Sequence, residues 1–338
     1  MRPRLTAAVA NCRRAVRAAL DLAQLARGDL VLVAVSGGPD SLALAAAAAF
    51  EVPRKGLRAK VIVIDHALQQ GSDKVANDAL LAIKSLGLDG EVRSVKVRKS
   101  GKGLEAEARD ARYFELEKAR VELGASLVML GHTLDDQAET VLLGLTRGSG
   151  LKSIAGMTVW DPNRKLLRPL LGISRAEVLK SLSDQKIDYW SDPHNHDDRF
   201  TRVRIRKLMG LLDEQLGPGL ASALSKTATI AALAEDYMES QAIELEAKAR
   251  VSSSENSVHY SVSELQCHPA LLRQTLRRIA LQLGVESLSM TQVETVSELV
   301  SNWHGQKSIP LSGITVERVN NELVFTTTKP PTAGASCS

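Results

Sequence analysis

Aromatic residues make up only 3% of this 338-residue chain: four Phe, four Tyr and three Trp. A row of stacking platforms is therefore excluded as the main means of holding bases, and the core must be built mostly from Ala, Val, Leu and Ile. Cysteine is equally sparse. Cys12, Cys267 and Cys337 lie far apart and form no Cys-x-x-Cys pair. That argues against a disulfide framework, a zinc ribbon and a cysteine-ligated iron–sulfur cluster, and a reducing, cytoplasmic setting is expected. No apolar run reaches the length of a spanning helix, so no membrane partner is expected. The pattern G-x-x-x-x-G-K-[ST] is absent, and no G-x-G-x-x-G follows the first strand-like run. These absences take away the phosphate clamp of an ordinary ATPase and the dinucleotide fingerprint.

What is present has the composition of a globular protein, 44% hydrophobic and 24% charged, with a net charge of +4. The length favours two domains, and the mild basicity permits a nucleic-acid partner without requiring one. The N-terminal MRPRLTAAVANCRRAVRAAL is read as an amphipathic helix, with Val9, Cys12, Val16 and Leu20 inward, in preference to a transit peptide. Then β and α signals alternate. DLVLVAVS, RAKVIVIDH, EVRSVKV and SLVMLGH read as strands, with KLLRPLL as a fifth; Asp40–Phe50, Ser72–Leu86, Leu104–Leu123, Leu134–Leu145 and Arg175–Leu182 read as helices. Strands apolar throughout and each followed by a helix predict an α/β fold with a parallel, doubly wound sheet. Residues 1–215 are assigned to this domain. Gly217–Arg250 is expected to be one long helix, opened by GPG and serving as a linker, and VSSSENS a serine-rich break. Residues 258–328 are expected to form a small α+β unit whose last two strands are SIPLSGITVERV and LVFTTT, with Asn320-Asn321 in the turn between them. The tail, 329–338, is expected to be disordered.

Ligands of such sheets bind at the carboxyl ends of the strands. The first strand ends in Ser36-Gly37-Gly38-Pro39-Asp40-Ser41. Two glycines let the backbone approach an anion, two serines offer hydroxyls, and the following helix points its N-terminus at the ligand. The second ends in Asp65-His66, either a nucleotide contact or a charged strand cap. The fourth ends in GHTLDDQAET. His132 leaves that strand, and Asp136 and Glu139 share a helix face. Such carboxylates could hold Mg²⁺ or a substrate ammonium, or simply favour the helix dipole. In LEAEARDARYFELEKAR, spacing does not choose between Arg109 and Arg112. The run Arg199, Arg202, Arg204, Arg206, Lys207 is dense in positive charge, and Arg199, Arg202 and Arg206 share a helical face. It is either a polyanion-binding surface or a solvated basic helix.

Together these motifs resemble the tRNA(Ile)-lysidine synthetase family of PP-loop ATP pyrophosphatases. SGGPDS is similar to that family's SGGxDS, IDHALQ to VDHxLR, EARDARY to AR-x-x-RY, GHTLDDQAETVLLGLTRGSG to its long HxxDDQxET signature, and SDPHNHDDRFTRVRIR to its arginine-rich motif. The likeness runs from about Val31 to Lys207, with a weaker one over Ser263–Phe325. Gln69, Gly131-His132 and Val203 depart from the family pattern. The resemblance implies that ATP adenylylates the wobble cytidine of a CAU-anticodon tRNA(Ile), and that free L-lysine then displaces AMP. It implies ATP contacts at Ser36–Ser41, Asp65, His66 and His132, and Mg²⁺ at Asp40 and Asp136. Lysine would meet Asp136 and Glu139, and tRNA would meet Arg199, Arg202, Arg206 and Lys207. Asp40, Arg112, Asp136, Glu139 and Arg202 would be catalytic. A homodimer is one admissible assembly. The rivals are a PP-loop tRNA thiolase, which needs a sulfur-carrying cysteine or cluster, an amidating synthetase, and a nucleotide- or RNA-binding module without turnover.

Overall fold

A computed structural model describes residues 5–65, 72–95, 104–147, 150–190, 201–285 and 287–327. The expectations for His66, Arg199 and the tail 329–338 fall outside the described residues. Two compact units are present, Met1–Ala232 and Leu233–Ser338.

The first unit opens with α1 (Ala7–Leu22), which buries Val9, Cys12, Val16 and Leu20 as its period requires. Next come β1 (Leu30–Val35), α2 (Pro39–Arg54), β2 (Arg58–Asp65), α3 (Ser72–Ser85), β3 (Asp89–Ser94), α4 (Leu104–Glu122), β4 (Leu127–Met129) and α5 (Leu134–Thr146). The unit continues through α6 (Leu151–Ile154), β5 (Trp160–Asp161), β6 (Leu166–Leu167), a 3₁₀ turn at Pro169–Gly172, α7 (Arg175–Gln185), α8 (Thr201–Leu216) and the start of α9 (Leu220–Ala249). The sheet order is β3-β2-β1-β4-β6-β5. All neighbours are parallel except β5, which runs antiparallel to β6. Successive residues of β1 alternate between two cores. Val31, Val33 and Val35 pack with residues of α1, α2 and α7, and Leu32 packs with Leu116 and Ala119 of α4. A strand that is apolar on both faces is thus explained by helices on both faces.

After β3 the chain crosses β1 and continues with β4 on its other side. The carboxyl ends of β1 and β4 therefore flank the point where the winding reverses, the usual place for a ligand.

KLLRPLL departs from its expected strand. Only Leu166–Leu167 pair in the sheet, and Pro169 opens the 3₁₀ turn. Proline has no N–H to give to the ladder.

The second unit holds the rest of α9, then β7 (Arg250–Ser253), β8 (Ser257–Ser261), α10 (Val262–Leu265), α11 (Pro269–Gln282), α12 (Met290–Ser301), β9 (Ile309–Leu311), β10 (Ile314–Val319) and β11 (Glu322–Thr327). Its sheet is antiparallel, in the order β7-β8-β11-β10-β9. Tyr260 and Phe325 meet edge-to-face at 5.7 Å in its core. Two expectations change here. VSSSENS is a hairpin, closed by Ser254 N–H donating to the Ser257 carbonyl at 2.8 Å. SIPLSGITVERV is two strands, because Gly313 takes φ +85° and turns the chain between β9 and β10. The Asn320-Asn321 turn lies between β10 and β11 as expected, with Asn320 at φ +54°.

Candidate active site

The loop after β1 is held in shape by its own hydroxyls. Ser36 N–H donates to Ser41 Oγ at 3.1 Å, and Ser41 Oγ donates to the Gly38 carbonyl at 2.9 Å. Gly37 adopts φ +81°, a conformation that a side chain would strain. Its carbonyl accepts from Trp190 N–H at 3.1 Å. Gly38 caps α2 and Pro39 occupies the first turn, where no N–H is missed. The amides of that first turn have no helical acceptor and are available to an anion.

Asp40 stands in this first turn. One carboxylate oxygen faces the Arg175 guanidinium at 3.4 Å, and the other is buried without a partner. Burial pushes its carboxyl up to about 6; Arg175 pulls it back, Asp136 adds to the rise, and Arg206 and Asp135 act in turn in opposite senses.

The end of β4 packs directly on this turn. A Cβ placed on Gly131 would stand 2.9 Å from the Asp40 carbonyl oxygen and 3.1 Å from Ser41 Cα. Glycine is what lets the two strand ends meet. Thr133 then caps α5 reciprocally: Thr133 N–H donates to Asp136 Oδ2 at 2.9 Å, and Asp136 N–H donates to Thr133 Oγ1 at 3.5 Å. Asp135 accepts from Arg175 N–H at 2.7 Å, which ties the starts of α5 and α7 together. One turn further along α5, Glu139 is 2% exposed. Its Oε1 accepts from Arg206 Nε of α8 at 2.8 Å, and its Oε2 is buried without a partner. Burial raises the Glu139 carboxyl, and Arg206 only partly offsets this. Asp40, Asp135, Asp136 and Glu139 thus form an acidic half of the site, threaded by Arg175 and Arg206.

The other half is cationic. His132 is buried, with Nδ1 unpartnered. Burial first, then the charges of Arg112, Arg168, Arg109 and Arg202, hold its imidazole well below the ordinary histidine range. It is therefore neutral near pH 7. Tyr113 lies among the same groups, with the Arg164, Arg109 and Arg112 guanidiniums 4.7, 5.2 and 5.5 Å from its ring centre. Burial would raise its phenol, but Arg109, Arg112, Arg168 and Arg164 together bring it below its ordinary value. Arg112 Nε is buried without a partner.

Ser36–Ser41, His132, Asp136, Glu139, Arg112, Arg202 and Arg206 all surround the β1 and β4 ends. Asp65 is buried at the end of β2. Arg202 acts on both His132 and Glu139 and so links the two halves. Lys207 is on α8 and exposed. Arg109 proves to belong to the cluster along with Arg112. Four participants escaped the sequence reading: Arg164, Arg168, Arg175 and Gln137. Arg168 had a usable signal, since it directly follows a strand end, but reading KLLRPLL as one strand hid that end.

A PP-loop domain family matches residues 12–212, and the TilS substrate binding domain family matches residues 265–324. The tRNA(Ile)-lysidine synthase of Leifsonia xyli subsp. xyli is 44% identical over 89% of this chain and 91% of its own. That of Streptomyces coelicolor is 43% identical over 86% of this chain and 82% of its own. Among solved structures, the U34-tRNA thiolase NcsA from Methanococcus maripaludis superposes with a TM-score of 0.56 at 18% identity, covering 65% of this chain and 78% of that one. It shares the fold. With a PP-loop domain across the first unit, a substrate-binding domain in the second, and relatives above 40% identity along most of its length, the chain belongs to the tRNA(Ile)-lysidine synthase family.

Proposed function

We propose that the protein ligates free L-lysine to carbon 2 of the wobble cytidine of CAU-anticodon tRNA(Ile), consuming ATP and releasing AMP and pyrophosphate. The observation that carries this is the division of one site into an acidic half around Glu139 and a cationic half around His132, both beside a phosphate-binding loop that has no lysine. In the first step the cytidine O2 attacks the α-phosphate of ATP, and pyrophosphate leaves. Ser36–Ser41 hold the pyrophosphate, Asp65 and His132 face the nucleotide, and His66 is assigned to it by the family resemblance. Arg112 and Arg202 offset charge on the phosphate and on the adenylylated base. In the second step Asp136 and Glu139 receive the lysine side-chain ammonium. The raised carboxyl of Glu139 suits it to take the proton that must leave before the amine can attack.

Asp40, with Asp136, would hold Mg²⁺. The unpartnered buried oxygen of Asp40 fits this, because Mg²⁺ bound largely through substrate phosphates needs only one or two carboxylates. Bound there, the ion would supply charge neutralisation for the departing pyrophosphate.

We assign residues 1–215 to catalysis, 216–250 to a helical linker and 258–328 to a grip on the tRNA. Arg199, Arg202, Arg206 and Lys207 would meet tRNA phosphates, and a wobble base already in a loop costs little to present. The reaction belongs in the cytoplasm, where tRNA and lysine meet. A homodimer is compatible with it and is read directly by sedimentation equilibrium.

The thiolase alternative needs a sulfur carrier beside the loop, and among the described residues of the first unit the one cysteine is not available as one. Cys12 is buried in the core of the first unit, where burial raises its thiol above the ordinary value. The discriminating experiment supplies labelled lysine, ATP and either tRNA(Ile) with a CAU anticodon or the methionine tRNA. Lysine incorporation and pyrophosphate release should require the isoleucine tRNA. Release of pyrophosphate with neither tRNA nor lysine dependence would overturn the proposal.

A further inference from the structure

Arg168 is 4% exposed. Its Nη1 donates to the Thr158 carbonyl at 2.9 Å, and its Nε is buried without a partner. Among the described residues it forms no ion pair with any carboxylate. A buried guanidinium with no counter-charge among the described residues is expensive, yet this one directly follows Leu167, whose carbonyl accepts from Leu130 N–H at 2.8 Å, so it stands at the end of β4 that carries His132, where Arg109, Arg112 and Arg202 also act.

The guanidinium is firmly held. The Gln137 side-chain amide clamps the backbone of Met157 on both sides, donating to its carbonyl at 2.9 Å and accepting from its N–H at 2.8 Å. Thr158, the next residue, supplies the carbonyl that orients Arg168. The Arg168 N–H donates to the Val159 carbonyl at 2.7 Å. Backbone and side chain are thus both fixed to the segment that Gln137 fixes to α5.

We propose that Arg168 is a further catalytic residue, binding the phosphate of the departing AMP together with Arg112. This rests on the lysine-ligation reading above. In the second step the lysine amine gives its lone pair to carbon 2. The carbon 2–oxygen bond breaks, and its electron pair stays on the oxygen attached to phosphorus. The amine proton passes to the acidic half of the site. The phosphate thereby changes from a singly charged diester to a monoester that is close to doubly charged at neutral pH. A set of guanidiniums is matched to a group whose negative charge grows during the reaction, and such contacts speed the step because they strengthen toward the transition state. The carboxylate of lysine, the other small anion present, carries the same charge throughout.

The experiment follows adenylylated tRNA(Ile), labelled from the α-phosphate of ATP, formed without lysine and then chased with lysine in a single turnover. Arg168→Gln should slow the chase about a hundredfold at saturating lysine, with the half-saturating lysine concentration changed less than threefold. Discrimination between lysine and 1,5-diaminopentane should be unchanged. A normal saturated rate with a raised lysine requirement and lost discrimination against the diamine would move Arg168 to the lysine carboxylate and overturn the inference. Wild-type behaviour would also overturn it. If Arg168→Gln does not unfold cooperatively, Arg168→Lys, which keeps the charge but not the planar fork, is read by the same criteria. Failure of the wild-type protein to form any adenylylated tRNA would instead overturn the lysine-ligation reading itself.

Discussion

Arg206 closes over Glu139 from a different helix: its Nε meets one carboxylate oxygen at 2.8 Å while the other oxygen is buried with no partner. The pair joins α8 to α5, and it leaves one acceptor of a buried acid free for a cation. Glu139→Ala should therefore raise the lysine requirement more than the ATP requirement. Equal effects in steady-state kinetics would move Glu139 to the nucleotide. Arg206→Ala should cost about 1–3 kcal/mol of stability, between the limits for exposed and buried pairs, as read from urea midpoints.

Asp40 is held in a state that suits a ligand better than it suits the free protein. Its carboxyl rests near 6, against 3.8 for an ordinary aspartate. The folded chain therefore takes up this proton more readily than the unfolded chain, and stability declines as pH rises from about 4 to about 6. Above that window the full cost is present, at most about 3 kcal/mol. Asp40→Asn should raise the urea midpoint at pH 7, flatten its dependence between pH 4 and 6, and abolish pyrophosphate release. Retained release would remove the role assigned to Asp40. An unaltered midpoint would show that its charge is already well solvated.

The contact between the two strand ends leaves no room for a methyl group. In Gly131→Ala the new carbon would meet the backbone of Asp40 at 2.9 Å, so the phosphate loop itself must shift. A misplacement of about 1 Å at a catalytic group can cost about a hundredfold, and a smaller shift less. We expect pyrophosphate release to fall at least tenfold while the melting temperature drops only a few degrees. An active Gly131→Ala would mean that the loop is softer than its hydroxyl bracing implies.

Arg202 touches both halves of the site through its charge, and it lies on the helix proposed to meet tRNA. Arg202→Ala should weaken tRNA binding and lower the slope of log affinity against log salt by about 0.7–0.9, the increment for one lost phosphate contact. A weakened affinity with an unchanged slope would assign Arg202 to the reacting groups alone.

The phosphate loop was legible because its signal is local: an apolar strand, a turn that needs positive φ, and a helix start, all within a dozen residues. The carboxylates after β4 were legible for the same reason. The partners of those residues were not. Arg175 is 135 residues from Asp40, and Arg206 is 67 from Glu139; only the winding of the sheet brings them together. Arg168 was obscured by a proline-bearing run that resembles a strand in composition but lacks one of the N–H groups a strand needs. In the second unit, serines that read as a linker close a hairpin through their own backbone, and a single glycine divides what composition presents as one long strand.

The capping of α5 by Thr133 and Asp136 has a thermodynamic consequence. An aspartate side chain in a flexible loop would lose rotational freedom each time a substrate arrived, weakening every binding event. At Asp136 that freedom is already gone, because the helix needs the same carboxylate to begin. The ordering entropy is spent once, when the chain folds, and an arriving cation meets a rigid acceptor.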